Sequence, residues 1–365
     1  MSNHRFLADS PGGVQVATRE YIRLLAAANI DVTVIPVDID IRFGVRLRRL
    51  IRTSPYQGSI SPEDLFKIVE AAQHADFVFL NQVNLAGSIR GEAFADLRRK
   101  IVLLSHGAEV TDLLNHVRVV RKLPLSGRLR PSPIRAVHNV LSDEIAAREG
   151  IRAAVCLSPF DADFERWLGV SHVVWIPRTV VFDPLDWIPV PKRYGFLGTL
   201  DHAPNLAGLV SVLEALEASK TWRPDVRVVG GPERLGAWLT ERFASVTYLG
   251  PLDEEAVRCE VSSWTALLNP IFCQGRGCST KLAVALGWHI PIVTTTVGRR
   301  GYLYRQGAIL TADQPESFIR AMKSLEDRDV LAGVRRDLGR AAESTPSIME
   351  NAVQFQRFMM DAFDI

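Results

Sequence analysis

Leu267–Tyr302 reads LLNPIFCQGRGCSTKLAVALGWHIPIVTTTVGRRGY, and the pattern of this stretch decides the fold. Ala266–Asn269 and Ile290–Thr295 are short apolar runs, as expected of strands buried on both faces. Between them Gln274–Cys278 carries two glycines and predicts a loop, and Ser279–Trp288 predicts a helix. A Gly-x-x-Gly turn, Gly298 to Gly301, closes the stretch. Strand, loop, helix and strand make a right-handed crossover, and ligands of such units gather at the carboxyl ends of the strands. Here that end holds Gly275, Arg276, Gly277, Cys278, Ser279, Thr280 and Lys281 around a helix N-terminus. Backbone N–H groups, two cations and glycines without a Cβ suit a pyrophosphate. Glycine loops before helices are common, so the cradle alone does not fix a function.

The same alternation extends in both directions. Downstream, Ala308–Leu310 predicts a strand, followed by helices over Pro315–Leu325, Arg328–Glu343 and Ser347–Phe363. Upstream, Tyr194–Thr199, Asp225–Val229 and Val246–Leu249 predict strands. Pro177–Lys192 holds Pro177, Pro184, Pro189 and Pro191 without periodicity and marks a boundary. Before it, a weak strand at His4–Ala8 leads through Gly12–Gly13 into a helix over Val14–Ala28. Strands follow at Asp31–Val37, Asp76–Leu80, Lys100–Ser105, Ala153–Leu157 and His172–Ile176, with a helix over Pro62–Gln73 capped by Ser61. The expected fold class is α/β, two doubly wound Rossmann-like domains facing across a cleft, with C-terminal helices. The expected divisions are 1–177, a linker 178–192, 193–345, and a final helix 346–365 packing back toward the N-terminal domain.

Composition narrows the function classes. The chain has 365 residues, 47% hydrophobic and 23% charged, with a net charge of +2, which is ordinary for a globular protein of two domains. No apolar run approaches the roughly 20 residues of a spanning helix. The start, MSNHRFLADSPGG, lacks the apolar core of a signal peptide. Cys156, Cys259, Cys273 and Cys278 form no Cys-x-x-Cys pair and are expected as reduced thiols of a cytoplasmic protein. Cys273 and Cys278 lack partners for a four-ligand zinc site, so no metal is expected. Arg42–Arg52 (RFGVRLRRLIR) is basic and amphipathic, a candidate for peripheral contact with an anionic membrane at its inner face. The basic runs lack interleaved aromatics, which argues against nucleic acid.

Four segments carry a family resemblance. GFLGTLDHAPN (Gly195–Asn205), the donor-side stretch GRGCSTKLAVALGWHIPIVTTTVGRRGY, LLSHGAE (Leu103–Glu109) and SPGGVQVATREYI (Ser10–Ile22) together resemble the retaining glycosyltransferase family 4, the group 1 glycosyl transferases of GT-B fold. The resemblance covers nearly the whole chain and is stronger in its C-terminal half. It implies a nucleotide sugar as substrate, no bound cofactor, and a glycan, lipid-linked or small-molecule acceptor. It also implies His106, Lys281 and Arg276 as catalytic candidates. Gly12, Gly13, Gly198, Thr199, Asp201, His202, Gly275, Gly277, Cys278, Ser279 and Thr280 are implied on the donor, and Glu109 on the acceptor.

The departures are specific. Two glutamates eight positions apart bracket the donor segment in the family, and alignment through Lys281 and Pro291 puts Arg276 and Val284 there. Glu260 is a candidate substitute for the ribose acceptor. Each residue also has a plainer reading. Lys281 is a solvated first-turn lysine, the glycines serve turns, Ser279 and Thr280 cap a helix, and His106 is a core histidine. The expected activity is glycosyl transfer with retention and without a metal. A non-catalytic scaffold or accessory subunit on the same fold stays open, and behind it a nucleotide-sugar epimerase.

Overall fold

The computed structural model describes residues 1–8, 12–38, 60–119, 122–125 and 133–365. Arg42–Arg52, expected at a membrane, lies outside the described residues. No described helix is long and apolar enough to cross a membrane. The chain divides into two units. The first comprises Met1–Leu114, Leu129–Arg178 and Pro346–Ile365, and the second Asn115–Arg128 and Thr179–Thr345.

In the first unit, β1 (Ser2–Asn3), β2 (Pro36–Val37), β3 (Val78–Asn81), β4 (Ile101–Ser105), β5 (Ala153–Cys156) and β6 (His172–Trp175) form one parallel sheet. Its order is β2-β1-β3-β4-β5-β6, so the strand order reverses between β1 and β3. Residues of β4 and β5 are buried throughout, as the apolar runs require. Helices α1 (Gly13–Ala27), α2 (Pro62–Gln73), α3 (Ala95–Arg99), α4 (Glu109–Val119), α5 (Pro133–Arg148) and α6 (Pro159–Trp167) follow in chain order. Ser61 caps α2 by accepting from the Asp64 N–H at 3.1 Å, and Pro62 occupies the first turn, where no N–H is needed.

Two expectations fail at the start of the sheet. The first strand is Ser2–Asn3, and His4–Phe6 forms a 3₁₀ turn where a strand was expected over His4–Ala8. The Asn3 carboxamide accepts from the Arg5 N–H at 3.0 Å, a local bond that turns the chain out of the sheet. Of Asp31–Val37 only Pro36–Val37 pairs.

The second unit holds β7 (Arg193–Leu197), β8 (Asp225–Val229), β9 (Val246–Gly250), β10 (Ala266–Asn269), β11 (Ile292–Thr294) and β12 (Leu310–Thr311) in the parallel order β12-β11-β10-β7-β8-β9. Renumbered from its own first strand this is 6-5-4-1-2-3, the dinucleotide-binding order with its switch point between β7 and β10. Helices α7 (Ala203–Ser219), α8 (Glu233–Arg242), α9 (Glu254–Ser262), α10 (Thr280–Trp288), α11 (Pro315–Ser324) and α12 (Arg328–Glu343) cover the sheet. Gly195 is needed where it sits, because a Cβ there would lie 1.9 Å from the buried Trp264 ring.

The two units divide between Arg178 and Thr179, beside the expected division at 177, but the first unit is interrupted. Asn115–Arg128 belongs with the second unit: Leu125 is buried in that unit's core, and Arg234 donates to the Pro124 carbonyl at 2.8 Å. The last helix, α13 (Ile348–Phe363), belongs to the first unit. Its Asn351 and Gln356 donate to the carbonyls of Pro177 and Ala28.

Candidate active site

The switch point of the second sheet gathers a set of polar groups. Gly198 leaves β7 with φ of +144°, and Gly230 leaves β8 with φ of +131°, both in the region that favours glycine. A Cβ on Gly230 would come within 2.2 Å of the Gly198 carbonyl oxygen, so the two strand ends pack backbone to backbone. Lys281, in the first turn of α10, reaches back to this point. Its Nζ donates to Asn205 Oδ1 at 3.0 Å and lies 4.9 Å from the centre of the Phe196 ring. Asn205 in turn donates to the Thr199 carbonyl at 2.9 Å, which fixes which end of its amide faces the lysine.

Lys281 is 8% exposed and has no carboxylate partner among the described residues. Burial lowers its pKa from 10.5 to about 8. The reading of Lys281 as a solvated lysine is therefore excluded. A buried ammonium beside an open glycine turn is suited to an anion.

Beyond Lys281 the cradle is tied to the turn that follows β11. Asn269 ends β10, donates to Thr294 Oγ1 at 2.9 Å and to the Gly298 carbonyl at 3.1 Å, and accepts from Ser279 Oγ at 3.1 Å. Ser279 thus spends its hydroxyl on Asn269 and makes no side-chain cap on its own helix, contrary to the capping reading. The Tyr302 hydroxyl donates to the Ser279 carbonyl at 2.7 Å and accepts from the Ala283 N–H at 3.2 Å. It stands between the two groups that would otherwise close the first helical hydrogen bond. The N–H groups of Thr280, Lys281 and Leu282 have no intrahelical acceptor, as in any first turn, and add partial positive charge. Gly277 has φ of +64°, and the Arg276 carbonyl accepts from Arg300 Nη2 at 3.1 Å.

The remaining donor candidates divide. Thr199, Asp201 and His202 are exposed on the turn after Gly198, Gly275 is buried, and Cys278 is half-buried. Val284 packs against the core beneath β8 and β10. Glu260 is not placed to replace the missing acid. It accepts from Trp264 Nε1 at 2.8 Å and lies 3.8 Å from Arg227, toward the amino ends of the strands. No cluster of three His, Cys, Asp or Glu side chains among the described residues could hold a metal ion.

The first unit has its own polar centre beside its switch point. His106 follows β4, is 7% exposed, and has Nε2 2.7 Å from Asn81 Oδ1. Asn81 donates to Ser2 Oγ and Thr18 Oγ1, both at 2.9 Å. Those hydroxyls give their own protons to the carbonyls of Asn3 and Val14, so they can only accept from Asn81. The Asn81 oxygen therefore faces His106, and Nε2 carries the proton. Beneath, Ser105 Oγ donates to Glu165 at 2.6 Å and accepts from the Gly107 N–H at 3.1 Å, while Arg148 pairs with Glu165. Glu109 opens α4, where its N–H donates to Glu144 at 2.6 Å. Gly12 precedes α1 in ordinary extended backbone, and Gly13 is exposed.

Sequence reasoning missed Asn81, Asn205, Asn269, Arg300 and Tyr302. Neutral amides and a tyrosine give no signal until the topology brings strand ends together. Arg299 and Arg300 were visible as an acid-free pair inside a glycine turn.

Residues 191–328 match the sequence model of the family described as glycosyl transferases group 1. The matched stretch lies wholly within the second unit. It contains the whole Gly198–Asn205–Lys281 arrangement and the Arg300–Tyr302 turn. No curated protein matches the chain. Among solved structures, Anabaena HepE in complex with UDP is similar at 13% identity and TM-score 0.62, over 99% of this chain and 98% of that one. Sucrose-phosphate synthase from Thermosynechococcus elongatus is similar at 15% identity and TM-score 0.59, over 97% and 94%. TarM is similar at 13% identity and TM-score 0.50 over 73% of this chain, which spans only 50% of TarM. The stretch similar to group 1 glycosyl transferases therefore lies in a chain of GT-B fold.

Proposed function

We propose that the chain transfers a sugar from a nucleotide-sugar donor to a glycan, lipid-linked or small-molecule acceptor, with retention and without a metal. The observation that carries this reading is Lys281, a buried ammonium at the switch point of the sheet within the stretch similar to group 1 glycosyl transferases. Departure of a nucleoside diphosphate leaves negative charge on the phosphate oxygens. Fixed cations and N–H groups in a dry site stabilise that charge without reorganising. Lys281 and the first-turn N–H groups of α10 take this role, with Arg276 and the glycines at 198, 275 and 277 lining the approach. Thr199, Asp201, His202, Cys278, Ser279 and Thr280 complete the donor side. His106, whose Nε2 faces the Asn81 oxygen, is the catalytic candidate of the first unit. Gly12 and Gly13 are its candidate donor contacts, and Glu109 its candidate acceptor contact. The expected setting is cytoplasmic, with Arg42–Arg52 as the segment that would meet a membrane.

A second reading has its own observation. Arg276 and Val284 stand where the resemblance implies acids, and Glu260 is turned away from the site. A non-catalytic GT-B subunit would tolerate that loss. Calorimetry against UDP-, GDP-, ADP- and TDP-sugars separates the readings, followed by assay of diphosphate release with candidate acceptors. UDP-sugars come first, since HepE is similar in fold and has been solved with UDP-glucose. Saturable binding with turnover supports transfer, whereas binding without turnover across acceptors, or silence across the panel, supports the non-catalytic scaffold that has lost its donor site.

A further inference from the structure

The stretch similar to group 1 glycosyl transferases holds a second cationic position that a diphosphate at Lys281 does not use. Arg299 and Arg300 are consecutive on the turn after β11, and both are only partly exposed. Arg300 donates to the Val297 carbonyl at 2.8 Å and to the Arg276 carbonyl at 3.1 Å. Arg299 donates to the Tyr304 hydroxyl at 2.5 Å. Every one of these acceptors is neutral, and the Nε atoms of both arginines are buried without an acceptor. Among the described residues neither guanidinium has a carboxylate partner. Two guanidiniums, each with a buried Nε–H that has no acceptor, leave donor capacity that an anion can satisfy.

Topology separates this charge from the first. Lys281 reaches the β7 end at Gly198 and Asn205, whereas Arg300 is clamped between the loops after β10 and β11. In the order β11-β10-β7 these positions lie between one and two strand spacings apart, roughly 5–10 Å. A diphosphate held by Lys281 and the α10 N-terminus leaves Arg300 to whatever follows it. In a nucleotide sugar the diphosphate carries the nucleoside on one side and the sugar on the other, and it is the sugar side that we assign to Arg300.

We propose that the donor sugar is acidic, a nucleotide sugar of the uronic acid class whose carboxylate is received by Arg300. This rests on the nucleotide-sugar reading above. An arginine has five N–H donors, and only two of those on Arg300 are committed to carbonyls. The remaining donors suit a carboxylate, which gives charge-assisted bonds, whereas a neutral sugar offers only hydroxyls.

The test is calorimetric titration of the full chain with two matched pairs, UDP-glucose against UDP-glucuronate and GDP-mannose against GDP-mannuronate. Wild type, Arg300→Gln and Arg300→Lys are compared, with melting temperatures recorded for each. The acidic member of the bound pair is expected to bind at least about tenfold tighter in wild type, and Arg300→Gln to weaken it about tenfold more than its neutral partner. Arg300→Lys, which keeps the charge and loses the fork, should lie between. Equal affinity within the pair for wild type overturns the inference, even if Arg300→Gln does not fold. So does an equal loss of both members in a folded Arg300→Gln. Failure of every nucleotide sugar and free diphosphate to bind defeats the donor reading itself, and the inference with it.

Discussion

At the scale of the residue, Lys281 sets function against stability. Burial alone lowers its pKa from 10.5 to about 8. Between those values the unfolded chain binds the proton more strongly than the folded one, so this group makes stability rise with pH across that window. Below about pH 8 both states hold the proton, and the folded chain carries the full desolvation cost, about 3 kcal/mol. Lys281→Met removes that cost. It is expected to raise stability at neutral pH by roughly 1–3 kcal/mol in a denaturant titration while abolishing diphosphate binding. A loss of stability instead would mean that the Asn205 bond outweighs the burial. For wild type, affinity for a nucleoside diphosphate should fall as pH rises through 8, because the anion needs the ammonium. An anion that binds there should also draw up a proton, visible as a buffer-dependent heat.

At the scale of the element, the turn after β11 positions the start of α10. Tyr302→Phe keeps the ring and removes the hydroxyl between Ser279 and Ala283. The variant should lose about 1 kcal/mol of stability. It should weaken nucleoside diphosphate binding several-fold, as calorimetry would read, because the first turn can then close on itself. Gly230→Ala faces both a positive φ and the Gly198 carbonyl 2.2 Å from the new Cβ. It is expected to cost more than about 2 kcal/mol, against about 1–2 kcal/mol for Gly250→Ala. Gly250 has φ of +75° with open space around it. Much of this level was legible in the sequence. The α2 cap at Ser61, the strands at Asp225–Val229 and Ala266–Asn269, and the helix at Arg328–Glu343 follow from caps and apolar runs. The first strand was not legible, because Ser2–Asn3 is short and polar and holds its place only by pairing with β2 and β3. Tyr302, Asn205 and Asn269 escaped for the same kind of reason. Their roles are tertiary, and nothing local marks an amide that will bridge two strand ends.

At the scale of the whole molecule, each unit is a six-stranded parallel sheet whose order reverses once, and each places its polar centre beside that reversal. The first unit depends on a buried pair to hold the loop beneath His106. Glu165→Gln removes the carboxylate paired with buried Arg148 and should cost about 3–5 kcal/mol in thermal or chemical denaturation. A near-neutral result would show that the pair is dispensable to the fold. The second unit carries the glycosyl transferases group 1 match, and its cations decide the functional claim. The most direct test is calorimetric titration of the purified chain with UDP, GDP, ADP and TDP, in parallel with Lys281→Ala. The account predicts saturable binding of one nucleoside diphosphate, and its loss in a variant that remains folded. Binding that survives Lys281→Ala unchanged, or no binding of any diphosphate to the wild-type chain, would contradict it.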